Sequence, residues 1–234
     1  MKQLILFLLF VLPVFVKAQQ QHDQVASLHQ TLKNAANDTI RMDAYFQLAL
    51  HYNYTNNDSA LYYHALCLPI SQKLNLKLIE AHILENRGYV LTALGNYPKA
   101  LESFLKSKKI AEDPASEKYV WNLPEGQTPW EARLETLAYL YQTMGHLYGA
   151  TNNRDKQISS YLKSKEIGES IQEKGIITTL NMNLGWTYFN LNKLDSALFY
   201  AQTALDSLAK NGIGKYSGGY LWFSWSYLLE TRKL

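Results

Sequence analysis

Residues 84–104 read LENRGYVLTALGNYPKALESF, and the placement of a few residue types in that stretch decides the fold of the whole chain. Gly88 stands inside an apolar helical pattern, with Leu84 four positions before it and Leu91 three after. Gly95-Asn96 then interrupts the pattern, and both residues accept the left-handed or capping conformations that end one helix and begin another. Pro98 suits the first turn of a new helix, along which Ala100 and Phe104 recur on one face. The stretch therefore reads as helix, tight turn, helix. A glycine in mid-helix costs about 1 kcal/mol against alanine, so its place there implies a steric need. Two antiparallel helices joined by so short a turn approach closely, and a bulky side chain at the crossing would push them apart.

The same arrangement recurs along the chain. Small residues in apolar helical patterns fall at Leu48 (LALHYNY), Gly88 (ENRGYVL), Gly145 (TMGHLY) and Gly185 (NLGWTYF), at intervals of 40, 57 and 40 residues. A degenerate copy follows 39 residues on, where Ser224-Trp225-Ser226-Tyr227 matches the order of Gly185-Trp186-Thr187-Tyr188. A second landmark lies 12 residues past each small one, at Ala60, Ala100, Gln157 and Ala197. Between the two landmarks sit Thr55-Asn56-Asn57, Gly95-Asn96, Asn152-Asn153 and Asn192-Lys193, each a turn signal. Asp58 and Asp195 open DSAL segments and are expected to cap the second helices. Inner-stripe pairs are expected at Leu84 and Leu91, Tyr141 and Tyr148, and Tyr220 and Tyr227, with Ala100 and Phe104, or Ala197 and Tyr200, on the facing helix.

On these residues the chain resembles the tetratricopeptide repeat family, whose pattern is best kept at Gly88, Gly95, Tyr97, Ala100 and Phe104. The resemblance runs from about Arg41 to Leu234, with Arg87, Gln157 and Ala201 departing from the pattern. It implies an all-α fold, an α-α superhelix or solenoid of helix-turn-helix repeats. Spacings near 40 exceed the roughly 34 of the common repeat and imply helices lengthened by about a turn.

Four repeat units are expected at about 38–76, 77–112, 131–172 and 174–210, with a partial one at 216–234. Residues 19–36 precede them, and Val25, Leu28 and Leu32 there form a helix that caps the array. Pro69 is expected to kink or shorten the second helix of the first unit. Residues 113–130, DPASEKYVWNLPEGQTPW, hold three prolines and a glycine and form the insertion that stretches the interval to 57. Its Tyr119, Val120 and Trp121 either pack back onto the array or join a binding surface, and packing is favoured. The partial last unit leaves Trp222, Trp225 and Leu229 without a partner helix, which implies a truncated polypeptide or one covered by a partner.

The first 18 residues have a separate role. Lys2, an apolar run from Leu4 to Val16 and then Val16-Lys17-Ala18 form a secretory signal peptide with cleavage after Ala18. The run is shorter than the roughly 20 residues a membrane-spanning helix needs, so no transmembrane segment is expected in the mature chain. Cys67, the one cysteine, lies far from that junction, which argues against a lipid anchor; it is expected to be a buried small apolar residue. Cleavage removes Lys2 and Lys17 and leaves 21 basic (23 − 2 = 21) against 20 acidic side chains. A charge of +1 offers few phosphate contacts, so nucleic acid is not an expected partner.

No catalytic constellation stands out. The six histidines, His22, His29, His51, His64, His82 and His146, include no pair at the i, i+4 spacing of a helical zinc site. His22 and His29 share a helical face but read as solvated. GxxxxGK[ST], GxGxxG and GxSxG are all missing, so neither nucleotide binding nor serine hydrolysis has support. Glu80 and Glu85 read as solvated helix residues. The expectation is a protein that is not an enzyme and carries no cofactor or metal.

The remaining candidate is the concave surface of the superhelix, lined by residues six and three before, and one and four after, each small residue. These offsets select His82, Glu85, Tyr89 and Thr92, then Tyr139, Gln142 and His146, then Thr179, Met182, Trp186 and Phe189. Such a strip suits an extended peptide or a helix, although Trp186 and Phe189 read equally well as packing between repeats. Family members that grip a peptide's C-terminal carboxylate use lysine, asparagine and arginine there. The equivalents here are Glu85, Tyr89, Gln142, His146, Met182 and Trp186, which favour an apolar or aromatic ligand.

The layout as a whole is similar to the extracytoplasmic region of tetratricopeptide sensor proteins of Bacteroidota-type bacteria, in which a histidine-kinase or DNA-binding output module follows. That implies an exported sensory or scaffolding region that binds protein in the periplasm, ending before its output domain. The alternative is a free periplasmic assembly factor or co-chaperone for envelope proteins. A carbohydrate-binding lipoprotein is disfavoured by the missing lipid-attachment cysteine. Asp38-Thr39-Ile40, Asp58-Ser59-Ala60 and Asp195-Ser196-Ala197 also look like the O-glycosylation signals of such bacteria, though helix capping already accounts for them. Oligomeric state is left open.

Overall fold

The structure, a computed structural model, describes residues 23–118 and 120–211. The signal segment, His22, Tyr119 and the partial unit at 216–234 with Tyr220, Trp222, Trp225 and Tyr227 lie outside the described residues. Among the described residues every regular element is helical, and the chain falls into two units, residues 1–75 and 76–234.

In the first unit, α1 covers residues 23–33, α2 Asp38–Tyr52 and α3 Asn57–Lys73. Val25, Leu28 and Leu32 are, with Thr31, the less exposed positions of α1, and His29 brings its ring 6.3 Å from Tyr63 of α3. Asparagines start the other two helices: Asn37 Oδ1 accepts from Ile40 N at 2.9 Å and Asn56 Oδ1 from Ser59 N at 3.0 Å. Asp58 is therefore not the cap but a first-turn residue, where its charge suits the positive helix end. Asp195 is likewise a first-turn residue of its own helix, Leu194–Asn211. Between α2 and α3 lie Met42, Phe46, Leu48, Ala60, Cys67 and His64, all buried. Leu48 fills the small-residue position, and His64 Nε2 meets Asn53 Oδ1 at 3.1 Å. Burial pushes the Cys67 thiol up to about 12, so it stays protonated. Pro69 does not end α3, which continues four residues to Lys73. A proline inside a helix forfeits one backbone donor, and the neighbouring ladder resumes with Leu74 N donating to Ile70 O at 2.9 Å.

In the second unit three hairpins follow one another: α4 (Lys77–Ala93) with α5 (Tyr97–Ala111), α6 (Pro129–Ala150) with α7 (Arg154–Ser170), and α8 (Lys174–Asn190) with α9 (Leu194–Asn211). A 3-10 turn, Pro114–Lys118, interrupts the sequence between α5 and α6. Within this unit α4 packs on α6, α6 on α8, α5 on α6 and α7 on α8, so first helices meet first helices along one face.

The hairpin turns are alike in detail. Gly95 (φ 73°), Asn152 (φ 57°) and Asn192 (φ 55°) are left-handed, and the next residue's N–H returns to the helix: Asn96 to Leu91 O, Asn153 to Tyr148 O and Lys193 to Tyr188 O, at 2.8–2.9 Å. This double-bonded C-terminal turn satisfies carbonyls that the helix end would otherwise orphan. The close approach expected at the glycines is present at Gly88 and Gly145. A Cβ on Gly88 would lie 2.5 Å from Phe104 Cε1, and one on Gly145 would run into the Tyr161 ring. Phe104 and Tyr161 themselves are buried. Gln157, which stands where the pattern has alanine, fits because it lies against Gly149, where a Cβ would come within 2.6 Å of its Nε2. Serines clasp two of the hairpins, Ser107 Oγ donating to Ala81 O at 2.7 Å and Ser164 Oγ to Ala138 O. Leu84 and Leu91 are core residues, but Tyr141 and Tyr148 are only half-buried, each with a lysine ammonium, Lys108 and Lys156, 5.5 Å from its ring centre.

Candidate interaction face

The residues selected by offset all belong to the second unit and fall on α4, α6 and α8. Each first helix buries one side against its hairpin partner and meets the neighbouring first helix beside it, which leaves one strip for a ligand. Along that strip the side chains join across helices. Tyr89 of α4 and His146 of α6 bring their rings to 6.2 Å, and Asn183 Nδ2 of α8 reaches His146 Nε2 at 3.4 Å. His146 also meets the buried Tyr161 edge-on at 5.7 Å. On α8, Trp186 and Phe189 stack at 5.9 Å. Trp186 is 44% exposed and Tyr139 is 37% exposed.

Not every selected residue is accessible. Glu85 is 4% exposed and Met182 7%, so both lie beneath the strip and not on it. Glu80 is also buried, and the reading of both glutamates as solvated is corrected. Glu80 sits in the first turn of α4, where Lys77 Nζ pairs with it at 2.9 Å. Glu85 receives Asn86 Nδ2 at 2.8 Å and stands beside His82, whose Nε2 is 3.9 Å away. Gln142 is half-buried, and its Oε1 meets no hydrogen-bond partner among the described residues.

Desolvation governs the electrostatics. It raises Glu85 to about 7 despite a hydrogen bond from Thr143. It lowers His82 and His146 to about 4, so both rings are neutral near pH 7. The His82 side chain is 36% reachable by water, and its desolvation comes from protein crowding the ring on the remaining sides. With neutral histidines and neither lysine nor arginine among the selected residues, the strip holds no charge that would attract a carboxylate.

Sequence reasoning missed Asn183, whose offset from Gly185 lies outside the chosen stripe; for the insertion it weighed packing on the array against joining a binding surface and favoured packing. Val120, Trp121 and Leu123 pack toward Leu78, Ile79 and His82 of α4 and toward Glu135 and Tyr139 of α6, lining a partly open cavity of about 210 Å3. The insertion thus packs on the array and lines a site as well. No helix among the described residues is long and apolar enough to cross a membrane.

Comparisons with known proteins bear on the same residues. The family described as "SusR N-terminal TPR domain" matches residues 16–120, and the family "Tetratricopeptide repeat" matches residues 138–168 and 178–207. No curated protein matches the chain. Among solved structures, the crystal structure of BtubC (BKLC) from P. vanneervenii is similar, with a TM-score of 0.58 and 17% identity over 82% of this chain and 72% of that one. At that identity the likeness concerns the fold alone. Helical hairpins closed over glycines, repeat-family matches on both sides of the insertion and this structural likeness agree: the chain is a tetratricopeptide repeat protein.

Proposed function

We propose that this chain is an exported sensory or regulatory tetratricopeptide region that binds a protein or peptide along the face of α4, α6 and α8. The observation that carries the binding reading is the pair of exposed aromatics, Tyr139 and Trp186, flanking the Tyr89–His146–Asn183 link that joins all three helices. Large aromatic rings held by rigid neighbours are the usual anchors of a protein interface, because little side-chain entropy is lost when a partner covers them. The sensory role draws its support from the family description of residues 16–120, which is that of an N-terminal domain. Export draws its support from the Leu4–Val16 run and Val16-Lys17-Ala18.

Two measurements test the reading. Expressed with its own N-terminus in a Gram-negative host, the chain is expected in the periplasmic fraction beginning at Gln19; an unprocessed cytoplasmic product removes the export claim. In proximity labelling with the mature protein, Trp186→Ala and Tyr89→Ala are each expected to weaken the dominant captured protein about tenfold or more, the size of a hot-spot truncation. Capture that neither variant changes would remove the face.

A further inference from the structure

The cavity beneath the insertion has a chemistry of its own. Its volume, about 210 Å3, exceeds the roughly 150 Å3 that accepts a benzene ring inside a protein. Leu78 and Ile79 make one side aliphatic, while Trp121 and Tyr139 supply aromatic surface. One carboxyl group, Glu135, faces this lining. Gln127 Nε2 donates to its Oε2 at 2.6 Å, and Oε1 carries no hydrogen bond among the described residues.

Nothing in the lining balances that carboxyl. The cavity walls include neither lysine nor arginine, and the neighbouring His82 is held neutral by desolvation. Arg133 is two residues from Glu135 but is committed elsewhere, its Nε to Glu117 at 2.6 Å and its Nη1 to Ala111 O at 3.2 Å. Burial holds the Glu135 carboxyl above the ordinary range against the hydrogen bond from Gln127, and the negative charge of Glu173 adds to the same upward push. An anionic or phosphorylated group would meet repulsion here. A cation on an apolar stem would relieve it.

We propose that this cavity is a specificity pocket for an arginine side chain of the peptide bound along the α4–α6–α8 face. Arginine is favoured over lysine because a guanidinium is planar, weakly hydrated and able to lie on Trp121 or Tyr139 while donating to a carboxylate. Its methylene stem matches Leu78 and Ile79. His82 and Tyr139 belong both to the cavity and to the face, so a chain lying on the face passes the pocket mouth. The inference rests on the reading of that face as peptide-binding.

The test is an NMR titration of the full chain with the capped peptide Ac-Ala-Arg-Ala-NH2 and with its citrulline counterpart, which has the same shape without the charge. The arginine peptide is expected to shift the Trp121 indole resonance, identified by its loss in Trp121→Phe, with the citrulline peptide binding at least tenfold more weakly. Glu135→Gln is expected to abolish that preference while leaving the thermal melt unchanged. Equal binding of the two peptides, an undisturbed Trp121, or a preference that survives Glu135→Gln would each overturn the pocket, and the first needs no variant. Trp186→Ala separates this from the face reading, because it is expected to weaken capture of the long partner and leave the tripeptide preference intact.

Discussion

Where helices cross over a missing side chain, one methyl group decides stability. Alanine at Gly88 would gain about 1 kcal/mol of helix propensity, but its Cβ would meet the Phe104 ring at 2.5 Å in a fully buried contact. We expect Gly88→Ala to destabilise by about 1–3 kcal/mol in urea melts, and Phe104→Leu to recover part of that loss when the two are combined; simple additivity of the two costs would contradict the clash. These glycines were legible in the sequence because they recur at one phase of a helix. Gly149 was not, since it compensates for a single departure, Gln157, and a lone compensation has no period. Glu85 was misread for a related reason: its residue type argues for solvent, and only the arrival of α6 with Thr143 removes the water. Its folded pKa of about 7 stands above the ordinary 4.5, so the folded state favours the protonated form. Its contribution is therefore whole below pH 4.5 and is lost as pH rises through 7, an amount on the order of 3 kcal/mol at 1.36 kcal/mol per unit. His82 and His146 run the other way, with folded values near 4 against 6.5, so theirs is present above pH 6.5 and lost on acidification toward 4. Comparing Glu85→Gln with the parent isolates the glutamate: the melting-temperature difference should swing in favour of the variant between pH 5 and 8. A difference independent of pH would sink this account.

The hairpins owe their shape to how each helix ends. Gly95, Asn152 and Asn192 announce left-handed turns through residue types that tolerate them, and those three were readable in advance. The link between the second and third hairpins of the second unit uses the same geometry at Gln172, with φ 55° and Glu173 N donating to Gly168 O at 2.9 Å. Glutamine has no special affinity for that conformation, which costs an ordinary residue about 1–2 kcal/mol, and so no signal marked it. Gln172→Gly should relieve the strain and lose part of the gain to the greater freedom of glycine in the unfolded chain. The expected net effect is a stabilisation of about 0.5–1 kcal/mol, while Asn192→Gly should be closer to neutral; a destabilised Gln172→Gly would mean that the glutamine side chain holds the link together. The Pro69 helix makes a similar point from the opposite side, for a breaker read from the sequence was overridden by the packing of Ala60, His64 and Cys67 along the same helix.

At the scale of a whole unit, stability in a stack of hairpins is a sum of hairpin terms and nearest-neighbour terms, so position in the stack matters as much as local damage. In the second unit α6–α7 is the middle member. It touches the preceding hairpin through α4 and α5 and the following one through α7 with α8 and α6 with α8. Gly145→Val would force the Tyr161 ring out of its place and weaken a hairpin on which both neighbours depend. Leu208→Ala, by contrast, opens a cavity in α9, where the described stack ends. With both variants kept folded at low temperature, native-state hydrogen exchange should show the first losing protection across α4, α6 and α8 together. The second should lose protection in α8 and α9 while α4 and α5 keep theirs. Equal, uniform loss in both would mean that the unit unfolds as one cooperative bundle. The α4–α6–α8 face would then open as a whole and not hairpin by hairpin.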